Sequence, residues 1–81
     1  MQIKEAVVLR FQELCRDKNI KHNELATLSG VTPSTVYSMM DSSRKDLSVI
    51  TVKKLCDGLN ISIREFFDCD LFSDELEQEI K

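Results

Sequence analysis

The residues of this chain whose types and spacing can do chemistry lie between positions 22 and 40. Thr32, Ser34, Thr35 and Ser38 set a row of hydroxyls along one short stretch, Tyr37 stands among them, and His22 and Asn23 lie just upstream. Hydroxyls can give single hydrogen bonds as donor or acceptor, which is binding chemistry. Nucleophilic catalysis would need a base held against one of them. His22 is the sole histidine, and no Ser, Cys or carboxylate is placed to work with it. Cys15, Cys56 and Cys69 are separated by 41 and 13 residues, which matches no Cys-x-x-Cys pair, so a tetrahedral zinc site would draw on scattered ligands. Cys15 and Cys56 read instead as small helix residues and Cys69 as a tail thiol. There is no Gly-rich phosphate loop and no acid pair on one face. The expectation is no enzyme, no metal, no cofactor and no small-molecule ligand.

Charge divides the chain more sharply than its net value of −3 suggests. Residues 1–64 carry ten Lys and Arg against seven acids, whereas residues 65–81 carry seven acids against Lys81. A basic body suits a polyanionic partner, with an acidic tail that contacts something else or limits promiscuous binding; a solvated surface with a solubilising tail fits the same charges, so charge does not decide. A chain of 81 residues, 42% hydrophobic and 31% charged, has room for one core. No apolar run approaches the ~18 residues of a membrane span, and the first residues lead into an amphipathic stretch rather than a secretory h-region. A cytoplasmic protein is expected.

The elements that must position the hydroxyl row follow from periodicity. Val7, Val8, Phe11, Leu14 and Cys15 form one stripe of a helix from Ile3 to Lys18, with Asn19 at its exit. Leu25, Ala26 and Leu28 mark a short helix from His22 to Ser29, and Gly30 follows at the position that favours a left-handed residue. Thr32 caps a third helix with Pro33 in its first turn, running to about Met40, with Val36 and one of Met39 or Met40 inward. A polar loop, 41–46, leads to a fourth helix that opens at Ser48 or Val49 and buries Val49, Val52, Leu55, Cys56 and Leu59. Ser62 and Glu65 then form a capping box, with Ile61 and Phe66 as its hydrophobic staple. Ser73, Asp74 and Glu75 suit a last short helix.

Residues 22–40 have the pattern of two helices joined by a tight turn, the second free to project. The run LATLSGVTPSTVYSMM, 25–40, resembles the Cro/cI-type, or XRE-family, helix-turn-helix. VKKLCDGLNISIREFF, 52–67, is similar to the fourth and fifth helices of that family, and Arg10–Leu14 falls in its first-helix slot. The resemblance covers roughly residues 5–68. It implies an all-α, compact five-helix, lambda-repressor-like DNA-binding domain at 1–68, followed by an acidic C-terminal tail at 69–81 with a short extra helix.

Function follows from the same resemblance. It implies a transcriptional regulator, a repressor, that sets the helix at 33–40 in the major groove of double-stranded DNA. Thr32, Ser34, Thr35, Tyr37 and Ser38 would face bases and phosphates. His22 and Asn23 would meet the backbone from a helix N-terminus, while Arg10, Lys21, Arg44 and Lys45 neutralise phosphates. The departures are informative. Lys21 stands where Ser or Thr usually caps the second helix, and Cys15 where many members carry a basic residue. The loop at 41–47 is one residue longer than the commonest form. Residues 33–40 hold no Arg, Lys, Gln or Asn, the side chains of bidentate base readout. Specificity would then lean on DNA shape and dimer spacing. That uncharged helix and the acidic tail keep a second function open: a protein-interaction module on the same fold, such as an antitoxin. The apolar residues Phe66, Phe67, Leu71, Phe72, Leu76 and Ile80 leave two arrangements, a homodimer surface or a segment folded back over the first helix.

Overall fold

Three helix exits built the same way set the path of the chain. The computed structural model describes residues 1–73 and 76–80. Helix α1 spans Ile3–Asp17, α2 His22–Ser29, α3 Pro33–Met40, α4 Val49–Gly58 and α5 Ile63–Phe67, and a 3-10 turn follows at Asp70–Phe72. After α1, α2 and α4 the chain turns through a left-handed residue, Asn19 (φ 54°), Gly30 (φ 70°) and Asn60 (φ 59°). In each case the next amide reaches back along the helix in a Schellman closure: Ile20 to Cys15, Val31 to Ala26 and Ile61 to Cys56, at 3.0–3.1 Å. The three aliphatic residues donating those amides all pack against the core.

That core is a single cluster. Phe11, Leu25, Leu55, Leu59, Val7, Val36, Cys56 and Phe66 are fully buried. Each large apolar side chain among them contributes about 1.5–3 kcal/mol. The Phe11 and Phe66 rings meet at 4.4 Å between centroids, and Phe67 and Phe72 extend the aromatic set at 4.9 and 4.7 Å along the chain Phe66–Phe67–Phe72. Helix α2 lies against both α3 and α4. Its approach to α4 is close enough that Gly58 faces Ser29, with no room between them for a further carbon. Gly58 is therefore required by packing, whereas Gly30 is required by its backbone angle.

Two expectations change. Val49 begins α4 but is 76% exposed, because the apolar stripe of α4 runs past the edge of the core at its first turn. The extra C-terminal helix is the 3-10 turn at Asp70–Phe72, ahead of Ser73. Residues 76–80 are not helical, and Asp74 and Glu75 lie outside the described residues.

Residues 76–80 fold back on the start of α1. The Glu77 amide donates to the Met1 carbonyl at 2.8 Å, and a Glu79 carboxylate oxygen accepts from the Ile3 amide at 3.2 Å. Ile3 is the first residue of α1, so Glu79 places an anion where that helix has free N–H groups and a positive dipole end. The fold-back is thus formed within one chain, and Ile80 of the same apolar set stays exposed on it.

Candidate nucleic-acid interface

Helix α3 begins with a hub of hydroxyls. The Thr32 Oγ1 accepts from the Thr35 amide at 3.4 Å, capping the helix, and Pro33 occupies the first turn. The same oxygen lies 2.9 Å from Ser34 Oγ and 3.0 Å from Thr35 Oγ1. Val36 and Met39 anchor the opposite face in the core, which leaves Ser34 and Tyr37 exposed and Thr35 and Ser38 half-buried. Met40 is the partly buried one of the methionine pair.

Helix α2 presents its own start beside this row. Lys21 has no side-chain oxygen with which to cap, and only half of a capping box forms, the Glu24 carboxylate accepting from the Lys21 amide at 3.2 Å. The His22 ring meets the edge of Tyr37 at 5.7 Å between centroids, tying the N-terminus of α2 to the outer face of α3. Tyr37 is 54% exposed, so it borders the surface instead of filling the core.

The loop after α3 supplies the charges. The Asp41 carboxylate accepts from the Ser43 amide at 2.9 Å and from its hydroxyl at 2.7 Å, and the Arg44 amide returns to the Asp41 carbonyl at 3.1 Å. Those bonds from Ser43, with Arg44 and Lys4 nearby, hold the Asp41 carboxyl below its usual range. Arg44 and Lys45 are both exposed. A cleft of about 340 Å³ brings Ser34, Thr35 and Ser38 of α3 together with Arg44 and with Ser48 and Thr51 of α4. Four expected residues therefore share one concave surface, and two further hydroxyls join it. Ser48 caps α4 by accepting from the Ile50 and Thr51 amides, at 3.1 and 3.4 Å. The sequence put the start of this helix at Ser48 or Val49; the place of Ser48 opposite α3 was not readable there.

Arg10 belongs elsewhere. Its Nε donates to the Phe66 carbonyl at 2.7 Å, one terminal nitrogen donates to the Glu65 carbonyl at 2.9 Å, and the other to the Glu13 carboxylate at 2.7 Å. This guanidinium closes the C-terminal end of α5, and its side chain is 14% exposed. The thiols of Cys15 and Cys56 are buried, and burial pushes the Cys56 thiol up to about 11. Among the described residues no cluster of His, Cys, Asp or Glu is placed to hold a metal, and no helix is long and apolar enough to cross a membrane.

Residues 10–71 match the family described as the Cro/C1-type HTH DNA-binding domain. The chain belongs to that family. The Cro/C1-type assignment accounts for the projecting α3, the tight α2–α3 turn and the order of the five helices. Among solved structures the chain is similar to that titled "Crystal structure of the prophage Lp1 protein 11", with 33% sequence identity and a TM-score of 0.80, covering 91% of this chain and 99% of the other. No curated protein matches. Family and fold together support a DNA-binding, regulatory role.

Proposed function

We propose that the protein is a transcriptional repressor that lays α3 in the DNA major groove and acts as a homodimer on a palindromic site, in the cytoplasm. The observation that carries this reading is the concave surface that Ser34, Thr35 and Ser38 line together with Arg44. Short hydroxyl side chains read base edges by single hydrogen bonds, and the Thr35 methyl suits contact with a thymine methyl. Arg44 and Lys45 then meet one flanking backbone, while Lys21, His22 and Asn23 at the start of α2 meet the other, where free amides favour phosphate. Thr32 and Tyr37 border the same face. With no long polar side chain on α3, selectivity rests in large part on groove shape and on the spacing of two half-sites, ~34 Å apart in a dimer.

Electrophoretic shift with genomic fragments at low and moderate salt tests the reading. A shift that persists on selected sequences and weakens steeply with salt is expected. A second reading, an interaction module such as an antitoxin, rests on the uncharged α3 and the acidic tail. It would give no shift at any salt and a protein partner that co-purifies. Sedimentation with and without an isolated operator tests the dimer, and a monomer in both states removes it.

A further inference from the structure

Lys4 is the one buried charged side chain among the described residues. It occupies the apolar stripe of α1, in register with Val7, Phe11 and Leu14, where a leucine-like residue would be expected. Its ammonium does not point to solvent. Nζ donates to the Asp41 carbonyl at 3.0 Å and to the Arg44 carbonyl at 2.7 Å, the two ends of the turn that follows α3. Both carbonyls are thereby aimed inward, and the turn is closed on its own side by the Arg44 amide and the Asp41 carboxylate. With the carbonyls directed into the body, the turn presents Arg44 and Lys45 at the surface.

We infer that Lys4 is a positioning residue for DNA binding: it clamps the 41–44 turn so that Arg44 and Lys45 stand where a phosphate backbone passes. The inference rests on the DNA-binding reading and adds a residue that itself touches no DNA. A buried carbonyl that loses its donor must find another or turn to water. Without Nζ the Arg44 carbonyl loses its donor and the Asp41 carbonyl keeps only the Arg44 amide, so the turn loosens and its cations no longer share one geometry. Ordering them during binding then costs conformational entropy that the clamp has removed in advance.

Lys4→Met keeps the aliphatic stem and removes the ammonium. It is expected to weaken binding to an isolated operator and to unrelated duplex DNA by the same factor. It should also lower the salt slope by ~0.9 for each phosphate that the loosened turn no longer neutralises. Adding Lys4→Met to an Arg44→Ala/Lys45→Ala background should lower the slope no further, and Lys4→Arg should restore it. A wild-type slope in folded Lys4→Met overturns the inference, as does an equal further drop in the Arg44→Ala/Lys45→Ala background. Amide hydrogen exchange without DNA gives a second readout. The Arg44 amide should lose protection in Lys4→Met while α2 and α4 keep theirs, and unchanged protection there also overturns the clamp. Should Lys4→Met fail to fold, Lys4→Gln, which keeps a donor for one carbonyl, is measured in the same way. Absence of any DNA binding by the wild-type chain defeats the functional reading instead, and the exchange measurement still decides on the clamp.

Discussion

Arg10 grips Phe66 by both its main chain and its ring. Nε donates to the Phe66 carbonyl at 2.7 Å, and the guanidinium carbon lies 6.0 Å from the centroid of the same ring. A five-residue helix has few intrahelical bonds, and its last carbonyls have no partner within it. Arg10 supplies donors to two of them, so α5 is closed by a side chain from α1.

Arg10→Ala should therefore act on stability. Removal of charge-assisted bonds to two carbonyls is expected to cost about 2–3 kcal/mol in urea unfolding followed by circular dichroism. The salt slope of DNA binding should be unchanged, whereas a slope reduced by ~0.9 would return Arg10 to the phosphate contacts.

Gly58 offers a test of the α2–α4 approach. A Cβ at this position would overlap the Ser29 hydroxyl and press on the Ser29 Cα at 3.0 Å. Gly58→Ala should destabilise by about 1–3 kcal/mol, despite a gain of about 1 kcal/mol in helix propensity. Ser29 Oγ is buried without a hydrogen-bond partner. Adding Ser29→Ala should then recover part of the loss in a double-mutant cycle of thermal melts.

On an isolated operator, Ser34→Ala and Thr35→Ala should each weaken binding by about 1–3 kcal/mol where the hydroxyl contacts a base. The melting temperature should be little changed, since the Thr32 cap remains in place. Thr32→Ala should show the opposite balance, costing about 1 kcal/mol of stability. Fluorescence anisotropy on labelled duplexes separates the two. Wild-type affinity and selectivity in both Ser34 and Thr35 variants would move the docking face away from α3.

The thiols give a pH prediction. Burial raises Cys15 and takes Cys56 to about 11, from 9.0 for an ordinary thiol. Between those values the unfolded chain releases the Cys56 proton and the folded chain keeps it, so stability falls as pH rises above about 9. Cys69, half-buried in the tail, should alkylate readily at about pH 8, while Cys15 and Cys56 react only on unfolding. Equal rates for all three by mass spectrometry would contradict the burial.

The tail gives an electrostatic prediction. Glu77 lines the same groove as Arg44 and Lys45. Glu77→Gln with Glu79→Gln should tighten binding to unrelated DNA at low salt, with the gain fading as ionic strength rises. Removing the anion at the start of α1 should cost about 0.3–1 kcal/mol. Equal affinity at low salt would mean that the tail charge does not reach the bound DNA.

What could be read from sequence was local. The α5 capping box, the Thr32–Pro33 start and the Gly30 exit each depend on residues within a few positions, and each stands where expected. Asn60 takes the same left-handed conformation as Asn19, but only Asn19 was read as a helix exit. Partners distant along the chain were not legible. Arg10 reads as a surface cation until the carbonyls of α5 arrive beside it, and Val49 reads as core until the stripe outruns its cover. Lys4 did leave a trace, a cation in register with the apolar stripe, although periodicity alone does not reveal which carbonyls it meets.

The bond between Ile3 and Glu79 joins residues 76 positions apart, while the helix-turn-helix pairs its elements over short separations. The two ends meet only after the helices between them have packed, and the bond that joins them faces solvent. Such a bond forms late in folding, after the local helix pairs, and it is the first to open in the native state. Residues 76–80 should therefore exchange between docked and released forms far faster than the helices unfold. In a hydrogen-exchange experiment the Glu77 amide would report this sub-global opening by itself, separate from the global event that exposes Leu25 and Leu55.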